Sequence, residues 1–273
     1  MYDFFAKLES AICEADGLSR RLAQQAHETA GAHARTPSRR DSPLLADGTL
    51  LAADCARSAP ANRGRVVLIE GMDLAGKSTL VRNLQVELER RGVPVRVSRN
   101  ALCPENPIAP IADDLRRDPA AGLLETGALF LASHLWDARH FVPPPSGTIH
   151  LQDSCWLRTL AYHTVRGTPG IPELLRRAMP TFPRFDAAVF LTASIAERRC
   201  RLRQRERERP GSNDRGDHAV SDDSHSFTRL NHALGRLAKR MVGAVRVDTT
   251  GRRLNNVLAE VWAVFSRSSR EDA

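Results

Sequence analysis

From residue 64 onward the apolar positions fall into two alternating rhythms. Short unbroken apolar runs stand at Arg65–Glu70, Val93–Ser98, Thr148–Gln152, Ala187–Thr192 and Ala244–Val247. Runs without polar alternation are the mark of strands buried on both faces, as in a parallel sheet. Between them lie longer segments whose apolar residues recur at helical spacing: 77–91, a stretch around Leu123, Leu124, Leu129, Phe130 and Leu131, then 156–166, 171–179, 195–209, 227–241 and 252–266. Gly92 closes the first helix, as a glycine past the last turn often does. Arg99 to Pro110, with three prolines, reads as a loop, and Pro143-Pro144-Pro145-Ser146-Gly147 as a hard break. Residues 210–224, PGSNDRGDHAVSDDS, read as a mobile polar loop. Strands alternating with helices specify an α/β fold: a five-stranded parallel sheet, flanked by helices, with right-handed crossovers.

The first 60 residues follow another pattern. Phe4, Phe5, Leu8, Ile12, Leu18, Leu22 and Ala26 recur at near-helical spacing, so 2–30 is predicted helical. Residues 31–63 turn small and polar and read as a linker. The division expected is a helical N-terminal extension with its flexible linker at 1–60, and a domain at 61–273.

Composition changes this picture little. The chain of 273 residues is 42% hydrophobic and 26% charged, ordinary for a globular protein. No apolar run approaches the roughly 20 residues that cross a bilayer. The N-terminal stretch has acids among its apolar residues and no basic leader segment, which argues against a secretory signal. Five scattered cysteines, without a C-x-x-C pair, argue against a disulfide framework or structural zinc, and a reducing cytoplasm is expected. Nine histidines show no H-x-x-x-H spacing. The formal charge of +8 admits nucleic acid, yet much of the arginine is concentrated in 198–209, beside what proves to be a phosphate motif.

That motif follows the first strand. Gly71-Met72-Asp73-Leu74-Ala75-Gly76-Lys77-Ser78, with Thr79 next, is G-x-x-x-x-G-K-S between a strand and a helix. Its backbone N–H groups surround a phosphate, and the helix adds its positive end. Lys77 is expected on the β- and γ-phosphates of ATP, and the Ser78 hydroxyl on Mg²⁺. Ligands of parallel sheets sit beyond the carboxyl ends of the strands. Arg99 and Asp153 lie at two more such ends. Asp153 either serves Mg²⁺ or the acceptor hydroxyl, or caps the next helix. Arg99 either binds an acceptor phosphate or is a surface arginine. Arg198, Arg201 and Arg205 share one helical face and could clamp the transferring phosphoryl. Trp136 and Tyr162 either stack on a base or belong to the core.

These residues resemble the thymidylate kinases, with the related deoxynucleoside kinases, over about 64–267. Glu70-Gly71-Met72-Asp73-x-x-Gly76-Lys77-Ser78-Thr79 looks like the family's E-G-x-D-x-x-G-K-[ST]-T. Ser98-Arg99-Asn100 stands where the family has T-R-E, and Asp153 with Tyr162 is similar to its D-R-[YH]-x-x-S-x-x-A-Y. Phe185-Asp186, Phe227 and Asp248-Thr249-Thr250 follow in the family's order. The resemblance implies a P-loop kinase fold, ATP and Mg²⁺, lid arginines at Arg201 and Arg205, and a contact from Asp73 to the acceptor's sugar hydroxyl. Two departures concern the acceptor. Ser154 replaces an arginine that holds the acceptor phosphate, and Leu135 aligns with a second. Arg158 or Arg139 would have to restore that charge.

The function expected is ATP-dependent phosphoryl transfer to a nucleoside monophosphate or a nucleoside. The alternatives are a kinase of a non-nucleotide metabolite hydroxyl and a regulatory P-loop NTPase. The partner expected is a small-molecule acceptor, with a homodimer as one arrangement of the chain and neither membrane nor nucleic acid called for.

Overall fold

The computed structural model describes residues 63–118, 120–168, 170–208, 220 and 222–268. The extension expected at 1–60 and most of the polar loop at 210–224 lie outside the described residues. Five strands, β1 (Arg65–Glu70), β2 (Val95–Arg99), β3 (Ile149–Asp153), β4 (Ala187–Thr192) and β5 (Val245–Asp248), form one sheet in the order β2-β3-β1-β4-β5. Every pairing is parallel. The helices between them are α1 (Lys77–Arg90), α2 (Ile108–Arg117), α3 (Leu123–His140), α4 (Trp156–Arg166), α5 (Ile171–Ala178), α6 (Ile195–Glu208), α7 (Ser224–Val242) and α8 (Leu254–Ser268).

The strands alternate between two cores. Val67, Ile69, Val189 and Leu191 point to one face, where Leu80, Leu84 and Leu88 of α1 meet Val257, Val261 and Phe265 of α8. Leu68, Ala188 and Phe190 point to the other, against α4, α5 and α7. This period of two within fully buried strands is why the sequence shows no polar alternation there. Phe190 also presses on Gly235, where a Cβ would stand 2.9 Å from its ring.

Two boundaries differ from expectation, each with a local cause. β2 starts at Val95, because Pro94 has no N–H for a ladder; its carbonyl instead accepts from Ile149 N at 2.9 Å. The predicted loop at 99–110 gives way to α2 at Ile108. The Asn106 side chain accepts from Ile108 N (3.0 Å) and Ala109 N (3.2 Å), and Pro110 falls in the first turn, where its missing N–H costs nothing. Buried Asp137 of α3 then holds the loop before it, accepting from Leu102 N at 2.7 Å, Cys103 N at 3.1 Å and Asn106 Nδ2 at 2.9 Å.

The sheet register sets Ile69 and Arg99 on either side of Asp153. Among the described residues three non-glycines have positive φ, and each follows a strand at this edge: Leu74 (62°) after β1, Asn100 (60°) after β2 and Ser154 (69°) after β3. Such conformations cost about 1–3 kcal/mol each and cluster at functional sites.

Near the beginning of the domain, Arg63 makes a bidentate pair with Asp186 (2.6 and 2.9 Å), and Asp186 also accepts from Val66 N at 2.7 Å. We propose that the domain starts at Ala61. A chain beginning there is expected to unfold cooperatively in urea. One beginning at Arg65 loses the Arg63 pair and should be less stable by about 1.5–3 kcal/mol. Failure of the longer form to fold would move the boundary into the extension.

Candidate active site

The phosphate loop leaves β1 under tight steric constraint. At Gly71 (φ 150°) a Cβ would sit 2.5 Å from the Leu191 carbonyl, so only glycine fits. Gly76 begins α1 in the left-handed region. Lys77 folds back over the loop, buried, with Nζ 3.4 Å from the Met72 carbonyl. Burial and then the neighbouring Arg158 charge lower its pKa, against the pull of Asp73, Asp153 and Glu70.

The Ser78 hydroxyl donates to Asp153 Oδ2 at 3.0 Å, while Asp153 Oδ1 is buried without a partner among the described residues. Asp153 is therefore not the cap of the next helix: α4 begins after Cys155 with no side-chain cap. A hydroxyl beside a carboxylate oxygen that lacks a donor suits a hard cation such as Mg²⁺. Among the described residues no group of three or more His, Cys, Asp or Glu could hold a metal unaided. Phosphate oxygens and water would have to complete its shell.

Glu70 has no solvent exposure. It accepts from Gly71 N at 2.9 Å, from the Ser154 hydroxyl at 3.0 and 3.2 Å, and from Cys155 N at 3.1 Å. Burial raises its pKa, opposed by Lys77 and Arg158. Ser154 is thus committed to the sheet edge rather than to a ligand. The same burial, with the Glu70 charge, pushes the Cys155 thiol up, consistent with a structural residue.

Asp73 is pinned at both ends. Its carboxylate pairs with Arg158, and its main-chain carbonyl accepts from Arg198. Burial pushes the Asp73 carboxyl up, but Arg158 and then Lys77 outweigh it and hold it well below the usual carboxylate range. Arg198 is wholly buried. It also donates to the Ala193 carbonyl at 2.9 Å and Asn231 Oδ1 at 3.1 Å, and lies 5.0 Å over the Phe227 ring. Desolvation brings its pKa down to about 10. Arg201 donates to the Leu74 carbonyl at 3.0 Å and the Thr249 carbonyl at 2.9 Å, and pairs with Glu197 at 2.9 Å. These guanidinium groups were expected to clamp the transferring phosphoryl. In the structure Arg198 donates to the Asp73 carbonyl and Arg201 to the Leu74 carbonyl, so both hold the phosphate loop. Arg205 lies one turn on and is half-buried.

Beside the loop opens a cavity of about 280 Å³. Of the residues expected at the acceptor, it is lined by Asp73, Arg99, Arg158 and Tyr162. Trp136 and Arg139 do not line it. Trp136 stacks on His140 at 4.0 Å along α3, and Arg139 is exposed. Leu135, aligned with a missing arginine, is also exposed, and its neighbour His134 faces the cavity instead. His134 Nε2 lies 3.0 Å from Thr159 Oγ1, and burial brings its pKa down to about 3, so it is neutral at physiological pH. The missed wall of α3 was present in the sequence as a same-face series, Leu123, Thr126, Phe130 and His134.

The strands run parallel in the order β2-β3-β1-β4-β5, with the phosphate loop after the central strand. The fold is that of thymidylate kinases. A thymidylate kinase from Candida albicans superposes with a TM-score of 0.57 at 16% identity, over 77% of this chain and 94% of its own. One from Ehrlichia chaffeensis gives 0.51 at 17% identity, over 74% and 99%. No protein-family model and no curated protein matches the sequence. At this identity the thymidylate-kinase fold is shared, and each side chain must be argued from its own contacts.

The Glu70 network carries a pH signature. A carboxyl whose pKa is raised on folding contributes stability below its ordinary value near 4.5, and loses it as pH rises through the raised value. Glu70→Gln should therefore gain stability relative to wild type as pH rises above 4.5. The difference in urea midpoints across that range is the measurement, and a constant difference would contradict the assignment.

Proposed function

We propose that this chain is an ATP- and Mg²⁺-dependent kinase that transfers the γ-phosphoryl group to a nucleoside or nucleoside monophosphate. The observation that carries the reading is one juxtaposition. The phosphate loop that carries the buried Lys77 and the Ser78 bonded to Asp153 also carries Asp73, which lines the cavity. A phosphate cradle alone would suit any NTPase. A cradle opening onto a small-molecule cavity suits transfer to a second substrate.

In this reading the loop N–H groups from Gly71 to Thr79 hold the donor phosphates. Lys77 neutralises charge on the group in flight. Ser78 and Asp153 would hold Mg²⁺, which when bound neutralises the β- and γ-oxygens. Arg201 keeps the loop carbonyls turned away from those phosphates, and Arg205 is proposed as the further cation on the donor side. Asp73 receives the acceptor hydroxyl, while Arg99, Arg158 and Tyr162 surround the acceptor. Tyr162 already has the Arg166 guanidinium over its ring at 5.3 Å, which orients the ring in the wall.

The thymidylate-kinase fold supports a kinase reading. Among the described residues no helix is long and apolar enough to cross a membrane.

Lys77→Ala tests the reading. The variant should fold like wild type and lose at least about 10²-fold in kcat for ADP release in the presence of acceptor. A folded variant with near-normal turnover would remove the loop from the active site.

A further inference from the structure

We infer that the acceptor presents a neutral hydroxyl to the phosphate loop, so that the cavity takes a nucleoside in preference to its 5′-monophosphate. The inference rests on the kinase reading above.

It stands first on the charge balance at the loop end of the cavity. A phosphomonoester brings a charge of about −1.5 to −2 at neutral pH and needs unpaired cations near it. Here Arg158 is already paired with Asp73. Ser154 spends its hydroxyl on Glu70. His134, the side chain of α3 that faces the cavity at this depth, bonds Thr159 and is neutral. Further out, Arg116 stands 3.6 Å from Asp113. Arg99 and Arg166 are exposed, where water and salt screen them. A phosphate dianion would thus meet, at the loop end, an arginine already paired with Asp73, while the cavity's remaining positive charge sits on Arg116, beside Asp113, and on the exposed Arg99 and Arg166.

The second ground is the acceptor that Asp73 does fit. Arg158 takes Oδ2, and among the described residues Oδ1 has no hydrogen-bond donor. A carboxylate oxygen in that position repels phosphate and accepts from a hydroxyl. Beyond it, the Phe130 and Tyr162 rings offer apolar surface for a planar base. The transfer then balances as follows. The nucleoside hydroxyl oxygen attacks the γ-phosphorus and forms a P–O bond. The bond from γ-phosphorus to the β,γ-bridging oxygen breaks, and ADP leaves with its electron pair. The hydroxyl proton passes through Asp73 Oδ1 to water.

The same geometry predicts that selectivity can be inverted. Asp73→Asn removes the hydroxyl's acceptor and releases Arg158 from its partner in one change. Nucleoside kcat should fall, and monophosphate KM should fall with it, each by at least about tenfold. A merely structural loss would worsen both substrates.

The experiment uses the purified full chain with ATP and Mg²⁺. ADP release is measured against common nucleosides and their 5′-monophosphates, in wild type and in Asp73→Asn. At least one nucleoside should exceed its own monophosphate in kcat/KM by about tenfold or more. Wild-type preference for monophosphates overturns the inference and leaves the kinase reading standing. Turnover of neither panel also overturns it. In that case, binding of a fluorescent ATP analogue that is unaffected by Lys77→Ala shows that the kinase reading has failed too. If Asp73→Asn does not fold, the wild-type comparison decides alone.

Discussion

The ends of β1 and β3 are held together by one buried carboxylate. Glu70 takes donors from its own following residue and from Ser154 and Cys155 across the sheet edge. A carboxyl group buried without water needs those donors. The constraint reaches outward in both directions. It sets where the phosphate loop starts, and it draws Ser154 into the left-handed region, so that α4 begins where Arg158 meets Asp73. A residue without a donor at 154 would leave Glu70 short of one.

Asp73 joins the two halves of the site. Arg198 holds its carbonyl from the α6 side, and Arg158 holds its carboxylate from the α4 side. The donor loop and the acceptor wall therefore share a residue, and neither can shift without moving the other. Both arginines lie far along the chain from Asp73, and both owe their position to helices packed on the same face of the sheet.

Most of the fold was legible because it rests on local signals. Five apolar runs marked five strands, and G-x-x-x-x-G-K-S marked the loop with its helix. Six residues were named for the acceptor from strand ends and the family resemblance, and four of them, Asp73, Arg99, Arg158 and Tyr162, line one cavity, while Trp136 and Arg139 do not. The illegible parts depend on contacts across the chain. Asn106 starts α2 among prolines, which no periodicity reveals. A single-residue offset on α3 exchanged Leu135 for His134, and one residue rotates a helix by roughly 100°. Arginines on one helical face looked like phosphate ligands. That two of them would face loop carbonyls depends on how α6 docks, which spacing cannot express.

The arrangement around the loop bears on how a nucleotide would be captured. Arg198, Arg201 and Thr249 engage the carbonyls of Asp73, Leu74 and Ala75. The loop is thereby preorganised, and little chain entropy remains to be lost on association. Donor affinity is then tied to the docking of a helix that need not touch the donor. Loosening α6 would show in calorimetry as a heavier entropic penalty on nucleotide binding, at nearly unchanged contact enthalpy.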